Sequence, residues 1–219
     1  MSEPLELDVF WSFRSPWSYL ATGRLADWER RYPLRVRFRP VYPIAIRTPD
    51  FFQQVNPLWP GYLMKDVHRV AEFLGIPFQW PRPDPVPQDL REGGLFTREV
   101  QPYIYRLTRL GVAAEERGRG IPFADEVSRV IWGGTENWHE GKHLAEASAR
   151  AGLDLAELDA LVEAEADRLE ACVQQNQADH QGVGHWGVPT CAFRGEPFFG
   201  QDRLDVLLWR LRQHGLAER

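Results

Sequence analysis

Hydrophobic positions alternate and then cluster over Leu5-Glu6-Leu7-Asp8-Val9-Phe10-Trp11, the pattern of a mostly buried strand. A short Ser12-Phe13-Arg14 loop follows. Ser15 then precedes Pro16, and Leu20, Leu25, Trp28 and Tyr32 continue the chain as a helix. Ser15 suits an N-cap, and Pro16 suits the first turn, where a missing N–H costs no intrahelical bond. Leu34-Arg35-Val36-Arg37-Phe38-Arg39 alternates strictly and predicts a second strand. The opening segment therefore reads strand–helix–strand, with a sharp strand-to-helix turn at Ser15.

From Ile44 to about Gly184 the periodicity becomes helical. Tyr62, Val67, Val70, Phe73 and Leu74 form one stripe before Gly75. Pro77, Pro81, Pro83, Pro85 and Pro87 predict an extended connector. Phe96 to Leu110 and Phe123 to Trp132 are further predicted helices. Asp154 and Glu157 open a helix whose stripe runs Leu155, Leu158, Leu161, Val162, Leu169, Cys172 and Val173. The pattern of the start returns at the end. Thr190–Phe193 and Pro197–Phe199 predict a hairpin turning at Gly195. Gly200-Gln201-Asp202 opens a last helix with Leu204, Leu207, Leu208 and Leu211 on one face.

Composition narrows the function. Hydrophobic residues make up 43% and aromatics 12%, enough core for a folded chain rather than a disordered one. The net charge is −5, and no Lys/Arg run stands out, which argues against a nucleic-acid partner. Lys65 and Lys142 are the only lysines, so a Schiff-base mechanism has almost no candidates. No apolar run approaches the roughly 20 residues of a bilayer span. Met1 to Phe10 carries no positive charge, unlike a signal peptide, so a cytoplasmic protein without membrane contact is expected. Two cysteines give no disulfide framework.

Several residues could carry chemistry. Ser15 sits at a helix mouth, where free N–H groups and the dipole favour an anion such as a thiolate, carboxylate or phosphate; simple capping is the alternative. His139-Glu140-Gly141-Lys142-His143 matches the zinc pattern HExxH. Gly141 weakens a helix there, Gly133-Gly134 suggests a loop, and no third ligand follows, so no metal is expected. Cys172 and Cys191 lie on apolar faces as inert thiols. His185 and Trp186 precede Gly187-Val188-Pro189-Thr190, where the proline marks a turn or a cis bond.

Taken together, these pieces resemble DsbA-like thioredoxin-fold proteins. Ser15-Pro16-Trp17-Ser18 sits where that fold carries CPxC, and Gly187-Val188-Pro189-Thr190 resembles its cis-proline loop. Phe13–Ala21, Trp186–Thr190 and Phe198–Leu204 resemble the branch of 2-hydroxychromene-2-carboxylate isomerase and kappa-class glutathione transferases. The resemblance implies an α/β thioredoxin-like fold at residues 1–43 and 184–219, interrupted by a large all-helical insertion at 44–183. It implies a glutathione-dependent cis-trans isomerase or transferase acting on a small conjugated, aromatic electrophile, and a homodimer. Ser15 would be the catalytic residue, donating to the glutathione sulfur. Val188, Pro189, Gln201, Asp202 and Asn56 would bind glutathione: Val188 through its backbone, Asp202 at the γ-glutamyl ammonium, the N–H groups near Gln201 at its carboxylate. Phe13, Trp17 and Tyr19 fit an aromatic pocket and fit core packing equally. One departure stands out. Kappa-type enzymes carry a lysine after the second strand, whereas the lysine nearest here is Lys65, so another low-molecular-weight thiol stays open. Two serines cannot form a disulfide, which argues against an oxidoreductase. A non-catalytic binding module that has lost redox activity is the alternative.

Overall fold

The computed structural model describes residues 3–92 and 94–219. The two ends of the chain build its main sheet. Strand β1 (Leu5–Trp11) leads through the Ser15 turn into helix α1 (Pro16–Arg31) and strand β2 (Leu34–Pro40). β1 and β2 pair in parallel, from Leu5 opposite Leu34 to Trp11 opposite Pro40. Strands β5 (Thr190–Phe193) and β6 (Glu196–Phe199) form the predicted hairpin. β5 runs antiparallel to β1, with Phe10 opposite Thr190, so the sheet order is β2-β1-β5-β6. This register places the end of β1 and the start of β5 side by side. The Ser15 turn and the segment before Thr190 therefore emerge at the same end of the sheet.

Between β2 and β5 lie α2 (Ile44–Arg47), α3 (Phe51–Gln54), α4 (Leu58–Leu74), β3 (Gln88–Arg91), β4 (Gly94–Thr97), α5 (Ile104–Glu116), α6 (Gly120–Trp132), α7 (His143–Arg150), α8 (Leu155–Ala164) and α9 (Ala166–Gly182). A short 3-10 turn, Gln201–Arg203, precedes the terminal helix α10 (Leu204–Gln213). One hydrophobic cluster joins the sheet to these helices, with Trp11, Phe13, Phe38, Phe123 and Trp132 inside it.

The mixed α/β class with a helical insertion is as expected, and the departures lie within the insertion. It is helical apart from one hairpin. The helix expected from Phe96 begins only at Ile104, and Phe96 instead pairs with Asp89 across β3 and β4. Gln101 precedes Pro102, and a residue before proline is steered away from helical ψ, which delays the start of α5. The stripe from Leu155 to Val173 is broken at Glu165 into α8 and α9, although Leu158, Val162, Leu169 and Val173 all remain buried. On α4 the buried line is narrower than expected. Val67 and Ala71 face the core, while Tyr62 and Phe73 are exposed at 60% and 83%.

His139 and His143 do not share a helix. His139 lies in a turn, Gly141 takes φ +59, and α7 begins only at His143. His139 instead sits against Tyr103 and Trp138.

Candidate active site

Ser15 is held in place from several directions. Its N–H donates to the Ser12 carbonyl at 3.1 Å. The Trp132 indole N–H donates to the Phe13 carbonyl at 3.0 Å, tying the preceding loop to α6. The Trp11 indole N–H reaches the Ser18 carbonyl at 3.1 Å and Thr22 Oγ1 at 2.9 Å, tying the first turns of α1 to β1. Ser15 takes the extended N-cap conformation, φ −102 and ψ 115, and its Oγ accepts from the Ser18 N–H at 3.2 Å. Tyr19 N–H uses the Ser15 carbonyl at 3.1 Å, and Pro16 has no N–H. The Trp17 N–H is thus the first-turn donor left without an acceptor among the described residues, at the positive end of the helix dipole. Ser18 is fully buried, and its hydroxyl has no hydrogen-bond partner among the described residues. Of the two serines in the motif, only Ser15, at 8% exposure, reaches the surface.

The second motif abuts the first. The Val188–Pro189 bond is cis. Ser15 Oγ–H donates to the Val188 carbonyl at 3.2 Å at this end of the sheet. The Pro189 carbonyl accepts from the Gly200 N–H at 2.9 Å, and Gly200 takes φ +100, a conformation open to glycine at little cost. The three segments that carry the resemblance therefore form one hydrogen-bonded junction. His185 Nδ1 accepts from the Gly187 N–H at 3.0 Å, and Thr190 Oγ1 donates to the Gly187 carbonyl at 2.6 Å. The His185 ring stacks on Phe199 at 4.1 Å.

The other expected ligand residues divide. Gln201 and Asp202 follow Gly200 directly; Asp202 is exposed and pairs with Arg203 at 2.8 Å. Asn56 is exposed, and its Oδ1 accepts from the Leu58 N–H at 3.0 Å, opening α4. No hydrogen bond among the described residues joins Asn56 to the Ser15 junction. Phe13 and Tyr19 belong to the core rather than to a pocket: Phe13 is 1% exposed beside Trp11 and Phe123, and Tyr19 O–H donates to the Pro77 carbonyl at 2.6 Å. Trp17 is half-buried.

Residues outside the motifs complete the surroundings. The Arg14 guanidinium makes a two-pronged contact with Asp84, both bonds 3.1 Å, reaches Gln88 at 2.6 Å and lies 5.4 Å from the centre of the Phe52 ring. Arg47, at the end of α2, donates to the Tyr42 carbonyl at 2.7 Å and to the Trp186 carbonyl at 2.9 Å. It has no carboxylate partner among the described residues, and burial pulls its pKa down to about 10. A cation bonded only to carbonyls, beside the cis-proline loop, is suited to an anionic ligand. The one signal for it in the sequence is that it is the first cation after β2. Above the loop, Phe51 packs on Trp186 at 5.5 Å and on Trp59 at 5.9 Å, and Phe52 lies 6.2 Å from Trp59. Trp59 and Trp186 are 37% and 51% exposed, so this aromatic group faces both the site and solvent. A cavity of about 380 Å³ opens beside Arg47, bordered by Tyr42, Tyr105 and Gln177. Burial pushes the Cys191 thiol up to about 12, so it stays protonated and unreactive at neutral pH.

A family model for the DSBA-like thioredoxin domain matches residues 6–212. The chain belongs to the DsbA-like thioredoxin family. Within it, the chain is 25% identical over 205 residues to 2-hydroxychromene-2-carboxylate isomerase from Sphingobium xenophagum, covering 92% of this chain and 95% of that one. A solved structure of a 2-hydroxychromene-2-carboxylate isomerase superposes with TM-score 0.70 at 21% identity, covering 95% of each chain. The cytosolic disulfide reductase DsbM from Pseudomonas aeruginosa, solved with GSH, superposes with TM-score 0.58 at 18% identity, covering 95% of this chain and 100% of that one. These superpositions establish a shared fold. Where the DsbA-like fold carries a CPxC dithiol, this member carries Ser15 and Ser18.

Proposed function

We propose that this protein is a glutathione-dependent cis-trans isomerase or transferase of the 2-hydroxychromene-2-carboxylate isomerase type, acting on a small conjugated electrophile. The observation that carries the reading is the junction of Ser15 Oγ with the Val188 carbonyl at the mouth of α1, with serine rather than cysteine at both motif positions. The donor set fits a small peptide-like thiol: one hydroxyl, one unused helix N–H, the backbone of half-buried Val188 and a guanidinium without a carboxylate partner among the described residues. The curated relative's activity, and the GSH held by DsbM in the same fold, support the same reading.

Glutathione, when bound, supplies a thiolate that adds reversibly to a conjugated double bond and so allows rotation. The protein's own residues set the conditions for that chemistry. Ser15 holds a movable proton. Its hydroxyl now serves the Val188 carbonyl, and a ligand that pairs with the loop backbone competes for that carbonyl and releases the O–H toward the sulfur. The Trp17 N–H and the dipole of α1 favour the anionic sulfur over the neutral thiol. Pro189 and Gly200 keep the loop and the final helix in register, so Val188 offers its backbone as a strand edge does. Arg47 receives a carboxylate of the ligand and takes the place of the lysine missing after β2. Phe51, Trp59 and Trp186 cover the reacting end and limit water. The reading includes a cytoplasmic homodimer whose partners are small molecules, which light scattering and cell fractionation check.

Calorimetric titration with glutathione, followed by turnover of an aromatic α,β-unsaturated ketone, tests the proposal. Saturable binding and thiol-dependent turnover are expected. Binding without turnover would leave a ligand-binding module, and no binding would end the glutathione reading.

A further inference from the structure

His180, on α9, is fully buried, and neither ring nitrogen has a partner in hydrogen-bond geometry among the described residues. Its ring stacks on Phe10 at 4.7 Å with an interplanar angle of 11°. Phe10 is the residue of β1 that pairs with Thr190, and Val188 and Val183 pack against the same small cluster as Val41 and Ala192. The ring thus lies under the cis-proline loop, with a ring nitrogen near the Gly187 backbone but outside hydrogen-bond geometry, and with Arg47 and His185 as the titratable neighbours. Phenylalanine or leucine would fill that place without an orphaned polar group, and an unsatisfied buried donor is costly. The Gly187 carbonyl beside it accepts one bond, from Thr190 Oγ1 at 2.6 Å, and a carbonyl oxygen has room for two.

We propose that His180 is a positioning residue for the cis-proline loop: its imidazole sets the Gly187–Val188 peptide from below, and its ring N–H bonds the Gly187 carbonyl when a thiol ligand pairs with Val188. This rests on the reading of the Ser15 junction as a thiol site. It goes beyond that reading by assigning loop placement to a residue that touches neither Ser15 nor the ligand. His185 and Thr190 hold the loop from the side, and His180 completes the support from the sheet face.

The test compares wild type with His180→Phe, which keeps the stack on Phe10 and removes both nitrogens. Thermal melts should show Tm unchanged or raised. Amide hydrogen exchange across residues 185–190 should nevertheless quicken, and the Kd for glutathione should rise by about 10-fold, the size of one lost hydrogen bond. A purely structural role would lower Tm and leave loop exchange and affinity tracking global stability; that pattern overturns the proposal. Unchanged exchange and affinity also overturn it. Nitrogen-15 spectra of the wild-type imidazole give a measurement free of any folding defect. Addition of glutathione should move one ring nitrogen into the hydrogen-bonded range, and an unmoved signal from a glutathione-saturated protein counts against the proposal. If wild type binds no glutathione yet His180→Phe still quickens exchange at the loop, the thiol reading falls and the positioning role stands.

Discussion

The floor of the candidate site and its cover are built by different physics. The floor comes from the two ends of the chain, and hydrogen bonds to its backbone carbonyls fix it: the Trp132 indole N–H to Phe13, Ser15 Oγ–H to Val188, the Gly200 N–H to Pro189. The cover comes from the four-residue α3, the first turn of α4 and Trp186, whose rings touch one another edge-on or tilted and stay partly in water. Hydrogen bonds of this kind define positions to a fraction of an ångström, whereas aromatic contacts tolerate sliding. The floor can therefore hold a proton donor against one sulfur, and the cover can adapt to substrates of different outline. Beneath this site, Glu115 on α5 and His180 on α9 are buried titratable groups that do not enter the reaction, and the two respond to pH in opposite directions.

That opposition gives the largest expected effect. Burial, with the Glu29 carboxylate adding, pushes Glu115 of α5 up to about 7 from an ordinary 4.5. An acid raised in this way binds more protons folded than unfolded, so its contribution falls as pH climbs from 4.5 to about 7. Burial, with Arg47 adding, pulls His180 under the floor down to about 4 from 6.5. A base lowered in this way binds fewer protons folded, so its contribution falls as pH drops from 6.5 to about 4. Each full shift corresponds to about 3 kcal/mol. Between 4.5 and 6.5 the two slopes offset, and wild-type stability should be nearly flat. Denaturant melts should find Glu115→Gln more stable than wild type at pH 8 by up to about 3 kcal/mol, with no such gain at pH 4. The same gain at both pH values would show that Glu115 ionises freely in the folded protein.

Ser15→Gly breaks the floor at its reacting atom. Glycine caps a helix almost as well as serine, so the fold should change by only a few tenths of a kcal/mol. A hydrogen bond to a charged group is worth about 1.5–3 kcal/mol, so the bound thiol pKa should rise by about one to two units. Turnover near neutral pH should then fall by about 10-fold to 100-fold while thiol affinity changes far less. Ultraviolet titration of the bound thiolate reads the shift directly. A wild-type thiol pKa in Ser15→Gly would reduce Ser15 to a cap.

The floor was legible in the sequence because its demands fall on single residues. A serine before a proline at a strand end, a proline before Thr190 and a glycine before Gln201 each have few backbone solutions, and neighbouring positions agree with them. The cover was not legible, because its rings meet across stretches of chain that periodicity cannot join. Phe51, Phe52 and Trp59 carry no helical stripe of their own, and Trp186 lies more than a hundred residues away. Phe13 and Tyr19 were nearer to Ser15 in sequence, yet packing turned them inward. Arg47 is one arginine among many, and no local pattern sets it apart. The hairpin of β3 and β4 is four residues per strand, too short for alternation to outweigh a helical reading.

Arg47 joins the two halves, since it spans from α2 to the Trp186 carbonyl. Arg47→Gln keeps an N–H for that carbonyl and removes the charge. Glutathione affinity should fall by about 10-fold, the low end for a charge-assisted bond. Affinity for 2-mercaptoethanol, which has no carboxylate, should stay as it was. Equal losses for both thiols would mean that Arg47 only braces the loop, and the carboxylate role would go.

The smallest effect is expected from the cover itself. Trp186→Leu removes the ring but leaves the backbone carbonyl that Arg47 uses. An aromatic pair contributes about 0.5–1.5 kcal/mol beyond area, so KM for an aromatic enone should rise by about 2-fold to 10-fold. KM for an aliphatic enone of similar length should barely move, and the bound thiol pKa should match wild type, because nothing at the Ser15 junction has changed. Phe51→Leu should behave alike, since Phe51 and Trp186 face each other at 5.5 Å. If the pair acts as one surface, the double variant should cost less than the two single losses added, because each single change already breaks the contact. A thiol pKa that shifts with Trp186 would show that the ring also shields the sulfur, and floor and cover would then be one device rather than two.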